Sequence, residues 1–384
     1  MRPDATSPTP LRSPRLRIAT RAVGRRFHRV ILAAAAAVLG TVMGCGQPAA
    51  VPSNPGTTAP ARDLLAWLST LPQRADNRVV IGQYISRALN NTDGRTPAEA
   101  WTFYYEELAA LSGGQQVALA GFDFSTRAQF QKQGSDNTPA DAEWRDFALE
   151  HARNGGLLRL MWHAGNPWTD DSSWSEIPPG HALRELITPG NPAFERWKGW
   201  LAALADRLQV YQDLQVPILW APLHEANGDW FWWGQKASND DYIAVWQHLY
   251  TYLTHERKLN HLLWGYSPSN HYAQARAIAQ YPGNNYVDLI SPDKYDSTDA
   301  TLYREFTQDR YGKVFAWGEI GETDVPIDNR QFIEEIRTQF PRVVFYMQWA
   351  DNRIRRSIRS NHHPDAVMQD DWIITLSDMP TLRR

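Results

Sequence analysis

The stretch Val216-Pro217-Ile218-Leu219-Trp220-Ala221-Pro222-Leu223-His224-Glu225 joins a short apolar run to a carboxylate. The run from Val216 to Trp220 has the length and composition of a buried strand, so Glu225 is expected just after the strand's C-terminal end. The stretch Val314-Phe315-Ala316-Trp317-Gly318-Glu319 repeats this form. In a barrel of parallel strands the C-terminal ends converge on one face, and the two glutamates are therefore expected to lie close together.

Eight apolar runs of this kind predict strands, and helical patterns separate most of them. The predicted strands are 79–83, 117–123, 157–162, 216–222, 261–266, 287–291, 314–319 and 343–349. Near-continuous apolar strands that alternate with helices favour a parallel sheet covered on both faces. We predict an α/β fold that forms a single (β/α)8 TIM barrel. An open doubly wound sheet is the alternative, but no Gly-rich phosphate loop follows the first strand.

Composition indicates one ordinary globular domain. The chain has 384 residues, is 43% hydrophobic and carries a net charge of -3, which suits one large core and disfavours a nucleic-acid surface. Its 17 tryptophans are many for this length, and several fall in predicted loops after strands. We expect a monomer that has no nucleic-acid partner.

The first 45 residues predict an export signal. An arginine-rich start is followed by an apolar run over 30–44 that is short for a membrane span, and Val42-Met43-Gly44-Cys45 is similar to a bacterial lipobox. Cys45 is the only cysteine, so disulfides within the chain are excluded. Acylation of Cys45 would anchor an exported, otherwise soluble domain to the membrane of the bacterial cell envelope, at the outer membrane or cell surface. A signal peptide with an incidental cysteine is the alternative.

The rest of the chain divides into a linker and one domain. Residues 46–60 are rich in Pro, Ala, Ser, Gly and Thr, which predicts a flexible tether. Residues 61–384 form the predicted catalytic domain.

The residues around the two glutamates suit sugar chemistry. His224 and Asn227 flank Glu225, and an aromatic run from Trp230 to Trp233 follows. Glycosidases of the usual kind need two carboxylic side chains beside the scissile bond, and flat rings stack on sugar faces. The structural alternatives are an aromatic cluster capped by a chance His-Glu pair and, for Glu319, a simple ion pair.

These motifs resemble those of glycoside hydrolase family 26, best known for β-mannanases. The residues that carry the resemblance are 162–167 (Trp-His-Ala-Gly-Asn-Pro), 224–234 (His-Glu-Ala-Asn-Gly-Asp-Trp-Phe-Trp-Trp-Gly), Asp293-Lys294-Tyr295, Gly318-Glu319-Ile320-Gly321 and Gln348-Trp349. The resemblance implies retaining hydrolysis, with Glu225 as acid/base and Glu319 as nucleophile. It also implies that Tyr295 donates a hydrogen bond to the nucleophile.

Further substrate-binding residues follow from the same motifs. Trp162 and His163 resemble residues that line the glycone side, and Asp293 is a candidate partner for a sugar hydroxyl. His224 is expected to fix its neighbours or to contact the substrate. Trp230 and Trp349 are the candidate stacking platforms for sugar rings.

No metal or other cofactor is expected. His224-Glu225 begins like the zinc motif HExxH, but Gly228 stands where the second histidine ligand would be.

The resemblance implies an endo-β-glycanase that cleaves β-1,4-mannosidic linkages in mannan, galactomannan or glucomannan. One departure weakens this expectation, because many mannanases of the family have a basic residue where this chain has Ala350. A β-1,3-1,4-glucanase or a β-1,3-xylanase of the same family is the alternative within the class. A non-catalytic polysaccharide-binding surface lipoprotein is the alternative from another class, but a binding module needs neither glutamate.

Overall fold

A computed structural model describes residues 50–76, 78–85, 95–124, 139–234, 237–352 and 356–381. The chain separates into two units, Met1–Cys45 and Gly46–Arg384. The predicted signal peptide, with Cys45, lies outside the described residues, as do residues 46–49 of the predicted tether.

The second unit is built on parallel strands. They are β1 (Val79–Tyr84), β2 (Leu119–Asp123), β3 (Leu157–Trp162), β4 (Ile218–Pro222), β5 (Leu262–Tyr266), β6 (Leu289–Ile290), β7 (Asp293–Tyr295), β8 (Val314–Gly321), β9 (Val343–Gln348) and β10 (Ile373–Ile374). The pairing runs from β1 through β6 in chain order, continues to β8 and β9, and returns from β9 to β1. The barrel is closed, which confirms the predicted (β/α)8 TIM fold.

Two short strands modify this plan. β7 continues the line of β6 and pairs with the C-terminal half of β8, whereas β6 pairs with its N-terminal half. The break between them contains Pro292, which has no N–H to donate to the ladder. The sequence predicts one strand here over 287–291, so the interruption and its continuation to Tyr295 are a correction. β10 adds two residues beside the start of β1.

Helices cover the outside of the barrel. The α-helices are α1 (Ala59–Thr70), α2 (Pro97–Trp101), α3 (Glu107–Leu111), α4 (Pro139–Arg153), α5 (Pro192–Asp213), α6 (Asn239–Tyr250), α7 (Gln274–Ala279), α8 (Thr301–Phe306), α9 (Asn329–Gln339) and α10 (Pro364–Met368). π-Helical turns at Thr102–Glu106 and Thr251–Glu256 extend α2 and α6, and 3-10 turns lie at Leu71–Gln73, Leu183–Ile187, Asn284–Tyr286 and Leu376–Asp378. Side-chain caps start α5, α6 and α9, as when Asn191 accepts from the Phe194 amide. Among the described helices, none has the length and apolarity to span a membrane.

Alternation along β3 decides which of its residues reach the barrel interior. Trp162 points outward and stacks on Trp197 of α5, with ring centroids 5.1 Å apart. Arg159 points inward and donates to the Ser267 hydroxyl beyond the end of β5. Successive side chains of a strand face opposite sides, so His163, which follows Trp162, is directed to the interior like Arg159.

The tether prediction is wrong from Ala50 onward, because the chain there is bound to the barrel. The Ser53 amide donates to Asp288, just before β6, over 2.5 Å. The Asn54 side chain donates to Asn260, just before β5, over 2.9 Å, and the Thr58 amide donates to the Asn260 carbonyl. These hydrogen bonds hold the segment in place although its composition predicts flexibility. The segment lies at the N-terminal ends of the strands.

Asn54→Ala tests this docking. The buried Asn54 side chain also accepts from the Gly56 amide over 2.8 Å, so its removal leaves two polar partners unsatisfied. We expect a loss of about 1–3 kcal/mol in the free energy of unfolding, measured with denaturant, and unchanged kcat/KM. Asn154→Ala on an exposed loop is the matched control. Equal stability of the two variants would contradict the docking.

Candidate active site

The two glutamates lie at the same end of the barrel. Glu319 is near the C-terminal end of β8, and Glu225 is three residues beyond the end of β4. Both are nearly buried, with 8% of Glu225 and 3% of Glu319 exposed. The predicted placement of the carboxylates at strand ends is therefore confirmed.

Glu225 sits in a strained turn. Its φ is +52°, and that of Leu223 is +46°, in the left-handed region that side chains rarely adopt. Main-chain hydrogen bonds hold the turn, since the Glu225 amide donates to the Ser267 carbonyl over 2.7 Å and its carbonyl accepts from Gly228 over 2.9 Å. Such strain persists where the surroundings over-determine the backbone, as they do at this carboxylate.

The motif after Glu225 has a steric explanation. Trp230 folds back and donates from Nε1 to Glu225 Oε2 over 2.7 Å. Its ring lies so close to Gly228 that a Cβ there would be 2.5 Å from the indole. The Asn227 amide group bonds the Ser269 carbonyl and the Ser269 N–H. Asn227 thus ties the loop to the chain after β5, and Gly228 makes room for the indole that orients Glu225.

Glu319 is held by groups that suit a nucleophile. The Tyr295 hydroxyl donates to Glu319 Oε2 over 2.5 Å, as the resemblance implies. Burial raises the pKa of Glu319, and the Arg159 charge, the Tyr295 hydrogen bond and the His163 charge oppose that rise. Burial and the nearby carboxylates hold the pKa of Tyr295 well above its usual range, so its hydroxyl keeps the proton that it donates.

Two histidines beside Glu319 have pKa values that are shifted in opposite directions. Burial alone would lower the pKa of His163, but Asp123, 2.5 Å from Nδ1, and then Glu319 and Glu225 raise it above its ordinary value. Burial, followed by the charges of His163 and Arg159, holds the pKa of His224 well below its ordinary range. The neutral His224 ring lies edge-on to His163 at 4.5 Å, with Nε2 3.9 Å from Glu319.

Aromatic rings surround the carboxylates. Trp349 stacks on Tyr84 of β1 with centroids 4.0 Å apart, and Trp230 lies parallel to His271 at 6.3 Å. Both predicted platforms are partly exposed. They remain candidate stacking surfaces.

Several residues of the site were missed by the sequence reasoning. Tyr84 directly follows the predicted strand 79–83 and Asp123 ends the predicted strand 117–123, and these positions could have identified them. Trp174, 54% exposed, and Tyr272, 40% exposed, contact the rings of Phe231 and Trp230 at 5.0 and 5.6 Å. They lie in loops without a regular pattern.

Two predicted sugar contacts are fully buried. Trp162 packs against Trp197, because the strand alternation turns it outward beneath α5. Asp293 is 0% exposed and lies 3.9 Å from Arg159 inside the barrel. Ala350 is buried as well and offers no surface to the substrate.

One group of side chains has the spacing of metal ligands. Ligand atoms of His224, Asp293 and Glu319 lie within 4.8 Å of one another. Glu319 already accepts a hydrogen bond from Tyr295 and is one of the two glutamates predicted to flank the scissile bond. We therefore assign this group to the chemistry of the carboxylate pair.

Comparison with known proteins finds relatives that are named mannan endo-1,4-beta-mannosidases. The chain is 28% identical over 342 residues to Mannan endo-1,4-beta-mannosidase A and B of Caldalkalibacillus mannanilyticus, covering 85% of this chain and 63% of that protein. It is 26% identical over 339 residues to Mannan endo-1,4-beta-mannosidase of Bacillus subtilis, covering 85% of this chain and 89% of that protein.

A solved structure extends the likeness to three dimensions. The structure of the Bacillus subtilis mannanase BCman superposes with a TM-score of 0.72 at 26% identity, covering 85% of this chain and 96% of that one. The sequence model of Glycosyl hydrolase family 26 matches residues 51–378, from the docked N-terminal segment to the end of the barrel. On that match, the chain belongs to glycosyl hydrolase family 26.

Proposed function

We propose that this protein is a retaining endo-β-1,4-mannanase. The observation that carries the proposal is the pair of carboxylates at one end of the barrel, with Glu319 bonded by Tyr295 and Glu225 bonded by Trp230. The curated relatives, which are named mannan endo-1,4-β-mannosidases, support mannan as the substrate.

The first step forms a covalent intermediate. One Glu319 oxygen attacks the anomeric carbon of the sugar, and the bond from this carbon to the leaving oxygen breaks. Glu225 gives its proton to that oxygen and becomes a carboxylate. The Tyr295 hydrogen bond and the nearby His163 stabilise the negative charge of Glu319 before the attack, and Glu319 loses this charge as the ester forms.

The second step restores the enzyme. The Glu225 carboxylate takes a proton from a water molecule, whose oxygen attacks the anomeric carbon. The bond between this carbon and Glu319 breaks, so Glu319 is again a carboxylate and Glu225 again carries a proton. Two displacements at one carbon retain its configuration.

Aromatic surfaces favour internal cleavage. Trp349 and Trp230 are partly exposed beside the carboxylates, and Trp174 and Tyr272 extend the aromatic surface into the loops. Each ring can cover one face of a pyranose. Several such surfaces suit a chain that extends past the scissile bond in both directions.

A mixed-linkage β-glucan is the second candidate substrate. It is favoured by the buried Ala350, which stands where the family's mannanases carry a basic residue. The carboxylate pair fixes the reaction and leaves the choice of sugar to the surrounding contacts.

For its location, we propose an exported lipoprotein anchored through Cys45. The lipobox from Val42 to Cys45 supports this. The segment from Ala50 to Thr58 is bound beside the starts of β5 and β6, at the end of the barrel opposite to the carboxylates.

Substrates with good and poor leaving groups distinguish the roles of Glu225 and Glu319. Glu319→Ala is expected to abolish turnover of every substrate. Glu225→Ala is expected to slow polysaccharides by about 10²- to 10⁴-fold, but activated aryl glycosides far less, because only poor leaving groups need the proton. Steady-state kinetics on both substrate types measure this. Equal losses for both types, or an inverted anomer seen early by NMR, would refute the assignment.

The anchor is tested by Cys45→Ser. The variant is expected to appear in the soluble fraction or to remain unprocessed, because serine has no thiol to form the thioether bond to the lipid. Fractionation and intact mass of the expressed protein measure both outcomes. Normal processing together with retention in the membrane would rule out the lipobox.

Substrate choice is tested on galactomannan, glucomannan, lichenan, β-1,3-xylan and cellulose. We expect mannans to be cut at least about tenfold faster than the others, since one unmade hydrogen bond to a charged group costs about 1.5–3 kcal/mol. Reducing ends and viscosity, followed together, distinguish internal from terminal cleavage. Faster hydrolysis of lichenan than of any mannan would establish the glucanase instead.

A further inference from the structure

A buried cation lies inside the barrel, and the proposed mechanism gives it no step. Arg159 of β3 is only 1% exposed. Its Nη2 donates to the Ser267 hydroxyl over 2.9 Å and lies 3.9 Å from Asp293 Oδ1. Burial of a guanidinium is costly unless nearby charges compensate it, so its position requires an explanation.

The residue before the nucleophile makes room for this guanidinium. A Cβ on Gly318 would lie 2.5 Å from Arg159 Nη2 and 2.6 Å from Asp293 Oδ1. Any larger side chain would displace one of them. The Gly-Glu pair at the end of β8 therefore brings Arg159 and Asp293 directly against the backbone that carries Glu319.

We propose that Arg159 is a positioning residue whose fixed charge keeps Glu319 ionised in the buried site. The inference rests on the proposed hydrolysis, in which Glu319 must be a carboxylate to attack. Arg159 touches neither the sugar nor the scissile bond, and it acts through the nucleophile.

The charges around Glu319 leave this task to Arg159. The titratable and charged groups that face Glu319 are Arg159 and His163 from β3, Asp123 from β2, His224 and Glu225 from the loop after β4, and Asp293 and Tyr295 from β7. An arginine stays protonated throughout the working range, whereas His163 loses its charge as the pH rises. Arg159 is also the cation of this set that packs directly against the backbone before Glu319.

Asp293 is the carboxyl group with a printed ion-pair distance to this guanidinium, 3.9 Å from Oδ1 to Nη2. Burial, and then the nearby carboxylates Glu319 and Glu225, raise the pKa of Asp293 well above its ordinary value. This shift weakens Asp293 as a counter-charge, and the packing of Arg159 against Gly318 places its charge beside Glu319.

Arg159→Met tests the proposal through the pH profile of kcat/KM on an activated aryl glycoside. Activity falls as the pH drops below the pKa of Glu319, and loss of a nearby positive charge raises that pKa. We expect the acidic limb to move up by about 1 pH unit, which is a tenfold loss at a pH below both limbs. Arg159→Lys, which retains a charge, should recover at least half of the shift.

Lys294→Met is the matched control. Lys294 is a buried cation with 3% exposure, and it neighbours Asp293 in sequence but pairs with Glu335 at 3.5 Å. Loss of Lys294 removes a buried charge from β7, the strand that carries Asp293. It therefore costs stability without changing the electrostatic field inside the barrel. We expect its acidic limb to stay with that of the unmodified protein. An Arg159→Met limb that also stays there would overturn the proposal.

Two further measurements test the proposal independently of Arg159→Met. If Arg159→Met does not fold, Arg159→Gln decides, because it keeps a side-chain donor for the Ser267 hydroxyl but carries no charge. A limb that moves up supports the proposal, and an unchanged one overturns it. Carbon-13 NMR of labelled glutamate carboxyls, assigned with Glu319→Gln, reads the pKa of Glu319 without turnover. Absence of hydrolysis in the unmodified protein would therefore refute the proposed function separately.

Discussion

The chemistry of this barrel depends on a carboxylate that must stay ionised while almost all of it is shielded from water. Burial by itself favours the neutral acid, and it raises the pKa of Glu319. Fixed groups oppose this rise: the Tyr295 hydroxyl donates to one oxygen of Glu319, His163 is held by Asp123, and the guanidinium of Arg159 lies nearby. Because these groups are already in place, little reorganisation is needed when charge moves in the reaction.

The partner carboxylate is controlled by backbone shape. Glu225 occupies a left-handed conformation that the chain adopts only because neighbouring loops bind it, through Ser267 on one side and Asn227 on the other. The indole of Trp230 then fixes its Oε2. A strained turn at a functional side chain is a common use of stored backbone energy. In this protein the strained turn directs the Glu225 carboxyl group, while the preceding strand β4 stays regular.

The two ends of the barrel have separate tasks. The C-terminal ends of the strands carry the carboxylates, the histidines and the partly exposed rings, whereas the N-terminal ends bind the segment from Ala50 to Thr58. Parallel strands force this division, because all of them present the same end to the same face. The segment from Ala50 to Thr58 is therefore bound at the end of the barrel away from the cleft.

The sequence by itself determined the eight barrel strands, to within about two residues at most of their ends, as well as the family and the two glutamates. Apolar runs bounded by polar loops are local signals, and a carboxylate at a strand end is visible in them. Tertiary structure decided the rest. Trp162 and His163 are neighbours in one motif, yet the pleat sends Trp162 beneath α5 and His163 into the site. Composition suggested a free tether, but hydrogen bonds to Asn260 and Asp288 hold it. Arg159 lies 160 residues from Glu319 in sequence, and only closure of the barrel brings its charge to the nucleophile.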